Sequence, residues 1–186
     1  GCPSRSFTDL NTGVWYHPYT DYVISHSLMR GLSSTLFAPN QSMTRGMMVT
    51  TLYRLAGEPQ VEGTATFQDV KSSAYYANAV AWAEANGIAK GIDTGVFAPN
   101  APVTREQAAA FAYRYVTAYL GKTPVPGASL GGFQDAGLVS DYAAESLSWA
   151  HAAGLMVGYG DGFLGPKDTV TRAQMAKLLT LLAQNF

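Results

Sequence analysis

The sequence predicts an all-α fold: three helix-loop-helix repeats in a pseudo-threefold arrangement around a central three-helix bundle. One observation is a pattern written three times. It opens on Phe7-Thr8-Asp9, Phe67-Gln68-Asp69 and Phe133-Gln134-Asp135 and closes on Thr44-Arg45, Thr104-Arg105 and Thr171-Arg172. The opening Phe and the closing Arg lie 38, 38 and 39 residues apart. A second observation is the stripe after each Arg: Met48, Leu52, Leu55; Ala108, Ala112, Tyr115; Met175, Leu179, Leu182. These i, i+4, i+7 positions suit a helix that faces other helices. The third is composition: 47% of the 186 residues are hydrophobic and 13% charged, enough apolar surface for a sizeable core.

Within each copy the elements follow in order. Nine residues after the opening Phe stands a tyrosine (Tyr16, Tyr76, Tyr142), and a helix follows it. In the second copy this helix should run from Tyr75 to Asn86, with Ala79, Val80 and Ala83 at helical intervals. Gly87 and Gly154 should end their helices in a left-handed cap. Ser27 stands at that place in the first copy, where a different ending is expected. A loop then runs from Gly31, Gly91 or Gly158 to Pro39, Pro99 or Pro166, and Phe37, Phe97 and Leu164 should plug the core. The second helix starts at the Thr-Arg pair. Thr104 with Gln107 and Thr171 with Gln174 form capping boxes, whereas Thr44 has Met47 and keeps only half of the device.

The division is a tail (1–6), repeat 1 (7–57), a linker (58–66), repeat 2 (67–120), a second linker (121–132) and repeat 3 (133–186). The second linker carries two Pro and four Gly. One repeat of about 55 residues could hardly bury its own apolar face, so the three should form one cooperative, monomeric unit.

The net charge is −1 with no basic run, which argues against nucleic acid as a partner. No apolar stretch is long enough to span a bilayer. Cys2 is the sole cysteine. It reads either as an incidental thiol or as the lipidated residue of a Gly-Cys lipoprotein junction. His17, His26 and His151 have no metal-ligand spacing, and no nucleophile elbow, phosphate loop or zinc-protease motif occurs. Neither catalysis nor a cofactor is expected.

The candidate chemistry lies at the three helix starts. A cation there opposes the helix dipole, yet Arg45, Arg105 and Arg172 all occupy it. Beside unpaired backbone N–H groups, an arginine would make a carboxylate or phosphate site. The alternative is structural, with each Arg paired to an opening Asp (Asp9, Asp69, Asp135); Asp could also orient Arg for a ligand. Trp82 and Trp149 read as core or, if exposed, as sugar platforms. Gly91 and Gly158 complete the candidate set, with the basic residues Arg30 and Lys90 before the loop glycines of the first two copies.

The ordered set resembles the S-layer homology (SLH) domain family. Its motifs are Tyr76-Ala-Asn-Ala-Val-Ala-Trp82-Ala, Phe97-Ala-Pro-Asn100, Val103-Thr-Arg-Glu-Gln107, Gly158-Tyr-Gly-Asp-Gly162 and Val170-Thr-Arg-Ala-Gln174, and the match runs from about Phe7 to Ala183. The resemblance implies a noncatalytic anchor on the bacterial cell wall or S-layer, three modules forming a pseudotrimer with grooves between neighbours. It implies as ligand an anionic secondary cell wall polysaccharide bearing pyruvate ketals, with direct peptidoglycan attachment or protein–protein assembly as alternatives. The family's Thr-Arg-Ala-Glu motif lacks its glutamate in all three copies, and the first, with Gly46-Met47, departs most. Grooves using Arg105 or Arg172 are therefore favoured.

Overall fold

A computed structural model describes residues 1–186. The chain forms six α-helices: α1 (His17–Ser25), α2 (Arg45–Leu55), α3 (Ala77–Ala85), α4 (Arg105–Arg114), α5 (Ala144–Ala152) and α6 (Arg172–Asn185). There are isolated β-bridges but no strands, so the fold is all-α. Alpha-4 continues into a wider π-helical turn, Tyr115–Tyr119.

The helices pair across repeats. Alpha-3 of repeat 2 packs on α2 of repeat 1, α5 of repeat 3 on α4 of repeat 2, and α1 of repeat 1 on α6 of repeat 3. Each first helix thus rests on the second helix of the preceding repeat, and the last pairing closes a ring. The second helices meet inside it, where α2 contacts both α4 and α6. Their stripes are buried: Met48, Leu52, Ala108, Ala112, Met175 and Leu179 have no exposed surface.

Three backbone hydrogen bonds close the same ring at the helix starts. Met43 N–H donates to Val170 O (2.8 Å), Val170 N–H to Val103 O (3.0 Å) and Val103 N–H to Met43 O (2.9 Å). Each of these residues is essentially buried, so the bonds are shielded from water.

The local chemistry follows the sequence closely at the helix starts. Both capping boxes are present, and Thr44 makes only its own half. At the ends of the first helices the expected difference does not occur. Ser27 adopts φ 56°, beside φ 72° at Gly87 and φ 74° at Gly154. The following amides reach back alike, from Leu28 to Val23 O, Ile88 to Ala83 O and Leu155 to Ala150 O, at 2.8–2.9 Å. Tertiary packing of buried Leu28, Ile88 and Leu155 imposes the turn even on a serine.

The entry to the first helices also differs from the expected register. Tyr16 and Tyr76 precede α1 and α3, but Ala143 precedes α5. Two 3-10 turns, Ala136–Leu138 and Asp141–Ala143, take up the extra residue of repeat 3. Tyr142 is therefore the counterpart of Trp15 and Tyr75. All three are exposed, whereas Tyr76 and Ala143 are buried.

Candidate functional site

The three arginines begin α2, α4 and α6, and each reaches into the loop of the next repeat. Arg45 Nε donates to Phe97 O (2.8 Å) and Nη2 to Lys90 O (3.3 Å). Arg105 donates to Leu164 O (3.0 Å) and to Val157 O. Arg172 donates to Phe37 O (2.7 Å) and to Arg30 O. Their exposures are only 4%, 4% and 5%. Burial pushes the pKa of all three guanidinium groups down, although an arginine retains its charge throughout the working range.

The opening aspartates do not form ion pairs with these arginines; the chain's salt bridges lie elsewhere. Asp9 accepts from the amides of Phe37 (2.9 Å) and Ala38 (2.7 Å). Asp69 does the same with Phe97 and Ala98, and Asp135 with Leu164 and Gly165. One loop residue is thus clamped at both ends, its N–H by the Asp of its own repeat and its carbonyl by the Arg of the preceding one. Burial pushes the Asp69 carboxyl up, but the Phe97 and Ala98 amides outweigh it and hold the pKa low. For Asp135 the Leu164 amide is the leading cause of the same downward direction.

The helix starts are not free anion sites either. The amides of Arg45 and Gly46 donate to Ala101 O and Pro99 O, those of Arg105 and Glu106 to Asp168 O and Pro166 O, and those of Arg172 and Ala173 to Gln41 O and Pro39 O. The next repeat's carbonyls satisfy the unpaired donors and the dipole. What remains is one guanidinium nitrogen. Nη1 of Arg45, Arg105 and Arg172 makes no hydrogen bond within the chain. None of the three is among the buried atoms lacking a partner, so each retains contact with solvent.

Trp82 and Trp149 are core residues rather than platforms, each 3% exposed. Trp82 packs against Tyr53 and Tyr119, and Trp149 against Tyr113 and Phe186. An indole on the face of a first helix meets the neighbouring second helix, which removes it from solvent.

Gly91 and Gly158 border the grooves because no side chain fits. A Cβ on Gly91 would lie 2.5 Å from Val96 O, and one on Gly158 2.8 Å from the Phe133 ring. Gly31 is tighter still, 2.3 Å from the Phe7 ring. The repeating Phe and the repeating Gly are thus one packing unit.

Three grooves result, and each draws on all three repeats. The first has the loop of repeat 1, Arg172 of repeat 3 and Tyr75 of repeat 2, with Arg30 and Arg54, around a cavity of about 280 Å³. The second has the loop of repeat 2, Arg45 and Tyr142, with Lys90 and Arg114, around about 520 Å³. The third has the loop of repeat 3, Arg105 and Trp15, around about 500 Å³. There Val157 replaces the basic residue before the loop glycine, and Leu181 stands where Arg54 and Arg114 stand in the others. Lys177 is the third groove's other cation, and the Arg105 guanidinium lies 4.8 Å from the centre of the Tyr159 ring. Burial, with the bond donated to Asp168, pushes the Tyr159 hydroxyl up to about 12. Expectation had favoured the grooves of Arg105 and Arg172; the cations instead gather in those of Arg172 and Arg45.

The sequence reading missed the exposed aromatics Trp15 and Tyr75 and the second arginines Arg54 and Arg114. The signal was available: Arg54 and Arg114 each stand nine residues after a Thr-Arg arginine. It also missed a cluster outside the grooves, where Cys2, His17 and Asp21 converge.

Fold and grooves together define a ring-closed helical repeat protein with three surface clefts that share one plan and differ in their cations. The chain belongs to the S-layer homology domain family, whose model matches residues 6–47, 66–109 and 132–176. Membership places it among modules that anchor proteins to the cell wall. It is 33% identical over 176 residues to an endoglucanase of Bacillus sp. (strain KSM-635), covering 95% of this chain and 18% of that protein. It is 30% identical to the surface-layer 125 kDa protein of Lysinibacillus sphaericus (88% of this chain, 14% of that one). To the S-layer protein sap of Bacillus anthracis it is 26% identical (98% and 22%). The chain spans less than a quarter of the length of each of these relatives. No helix is long and apolar enough to cross a membrane.

Proposed function

We propose that the chain is a noncatalytic, cell-surface anchoring module that holds an anionic wall polysaccharide in its grooves, a pyruvate ketal supplying the charge. The observation that carries this reading is the repeated groove floor: a buried guanidinium with one free nitrogen, beside an exposed aromatic ring. A carboxylate takes up a guanidinium donor in a charge-assisted bond, and a ring such as Tyr75 or Tyr142 offers its face to a sugar. Arg30 with Arg54, and Lys90 with Arg114, add positive charge above the floor in the first two grooves. These two grooves are the acid-binding pair; the third, with Trp15 and Tyr159, suits a less charged stretch of the same polymer.

Titration with a synthetic pyruvylated monosaccharide tests the reading. Tyr142→Ala and Lys90→Ala alter exposed groove residues and leave the buried clamp intact. Each should weaken binding in the second groove roughly tenfold, about 1.4 kcal/mol, with the melting temperature unchanged. Unreduced sedimentation with depyruvylated sacculi would favour direct peptidoglycan attachment and sink the ketal reading.

A further inference from the structure

Away from the grooves, the N-terminal turn Pro3–Ser6 lies against α1. It brings the Cys2 sulfur 3.8 Å from His17 Nε2 and 3.4 Å from Asp21 Oδ2, and His17 Nε2 lies 3.3 Å from that same oxygen. His17 and Asp21 are one helical turn apart on α1, so the helix itself fixes two corners of the triangle. The third is fixed by Ser4. Its amide and hydroxyl both donate to Asp21 Oδ1, at 2.9 and 2.5 Å, and the hydroxyl lies 2.9 Å from Thr20 Oγ1.

We infer that Cys2, His17 and Asp21 form a three-ligand site for a thiophilic divalent cation of the zinc type. The geometry carries the inference. Tetrahedral zinc with bonds of about 2.3 Å to sulfur and about 2.0–2.2 Å to nitrogen and oxygen separates its ligand atoms by about 3.3–3.6 Å. The three distances here fall within about 0.2 Å of that range, so an ion needs only small side-chain adjustments. Ser4 donates twice to Oδ1; the sulfur lies 3.4 Å from both carboxylate oxygens, and Oδ2 is the one that also meets the imidazole. Holding the carboxylate in this way is the orienting role an outer-shell partner plays at a metal centre. A mixed sulfur, nitrogen and oxygen set selects zinc or cobalt over magnesium or calcium. The carboxylate and imidazole side chains are each 26% exposed, which leaves an approach for the ion and room for a water as fourth ligand. Metal would tie the N-terminal turn to α1, which itself closes the ring on α6.

Cobalt titration of the reduced full chain tests this. One equivalent of Co²⁺ should produce the visible bands of a tetrahedral centre with a thiolate-to-cobalt charge-transfer band. Zn²⁺ should abolish both and raise the melting temperature. Cys2→Ser and His17→Gln should each lose the charge-transfer band or the tetrahedral bands, while the metal-free variants keep the parent's helical circular dichroism. Absence of the thiolate band in the parent would overturn the site, as would its persistence in Cys2→Ser. A native protein whose mass places a diacylglycerol on Cys2 would overturn it too, because a thioether cannot supply the thiolate.

Discussion

At the scale of single residues, the arginines are structural members whose remaining donors face the grooves. Arg45→Ala would leave the buried carbonyl of Phe97, and the part-buried one of Lys90, without their partner. We expect a loss of about 3 kcal/mol, read as a fall in the denaturation midpoint, with Arg105→Ala and Arg172→Ala alike. Loss of wall binding in such a variant would therefore report unfolding as readily as recognition, which is why exposed Tyr142 and Lys90 make the better probes. Ser27 offers the opposite experiment. It holds a left-handed conformation in which a side chain costs about 1–2 kcal/mol, so Ser27→Gly should raise stability by about 1 kcal/mol in chemical denaturation. Glu106 supplies a pH dependence. It is 2% exposed, lies 2.5 Å from Lys167 Nζ, and accepts from the Ser140 amide and hydroxyl at 2.9 and 2.7 Å. Burial pushes its pKa up, but Lys167 and Ser140 outweigh burial, and the folded value lies below the ordinary 4.5. Its stabilisation is thus complete above the unfolded pKa and is lost as pH falls through the folded one. Glu106→Gln should lower stability at neutral pH and flatten the acid limb below about pH 4.5 in thermal melts.

At the scale of elements, the unit of packing is not the unit of sequence. A repeat written as helix, loop, helix sends its first helix back onto the preceding repeat and has its loop gripped by the preceding repeat's arginine. The paired stripes of α2, α4 and α6 were legible from periodicity, and the capping boxes from the Thr and Gln spacing. The partner of each first helix was not, since an amphipathic stripe states that a face is buried without stating against what. The same gap explains Trp82 and Trp149: an indole on a first helix reads alike as platform or core until the adjoining second helix is in place. The loops carry the converse lesson. Asp9, Asp69 and Asp135 were read as partners of the arginines; their partners are instead amides 28 to 30 residues downstream. Asp69→Ala should release the loop from Gly91 to Pro99, seen as faster amide exchange at Phe97 and Ala98 with smaller changes in the other two loops.

At the scale of the molecule, each repeat packs on both of the others. Alpha-1 has its main partner in α6, and Met43 and Val103 both bond to Val170. Residues 1–120 expressed alone should therefore lose cooperative unfolding, although they contain two complete sequence repeats. A sharp calorimetric transition in that fragment would contradict the ring. The grooves belong to this scale as well, for each needs a loop, an arginine and an aromatic from three different repeats.

By itself the sequence determined the number of repeats, the helical class, the caps and the family, because these rest on local spacing and on turn chemistry that acts within a few residues. It also marked the three arginines as exceptional, since a cation at a helix start breaks a local rule. Only the tertiary structure decided what the exception is for. Burial against carbonyls of the following repeat turns each guanidinium into a clamp, and ring closure determines which of its nitrogens, and which neighbouring rings and cations, are left facing the cleft. Such contacts join residues 45 to 142 positions apart, and no periodicity along one chain encodes which distant backbone oxygen a side chain will meet.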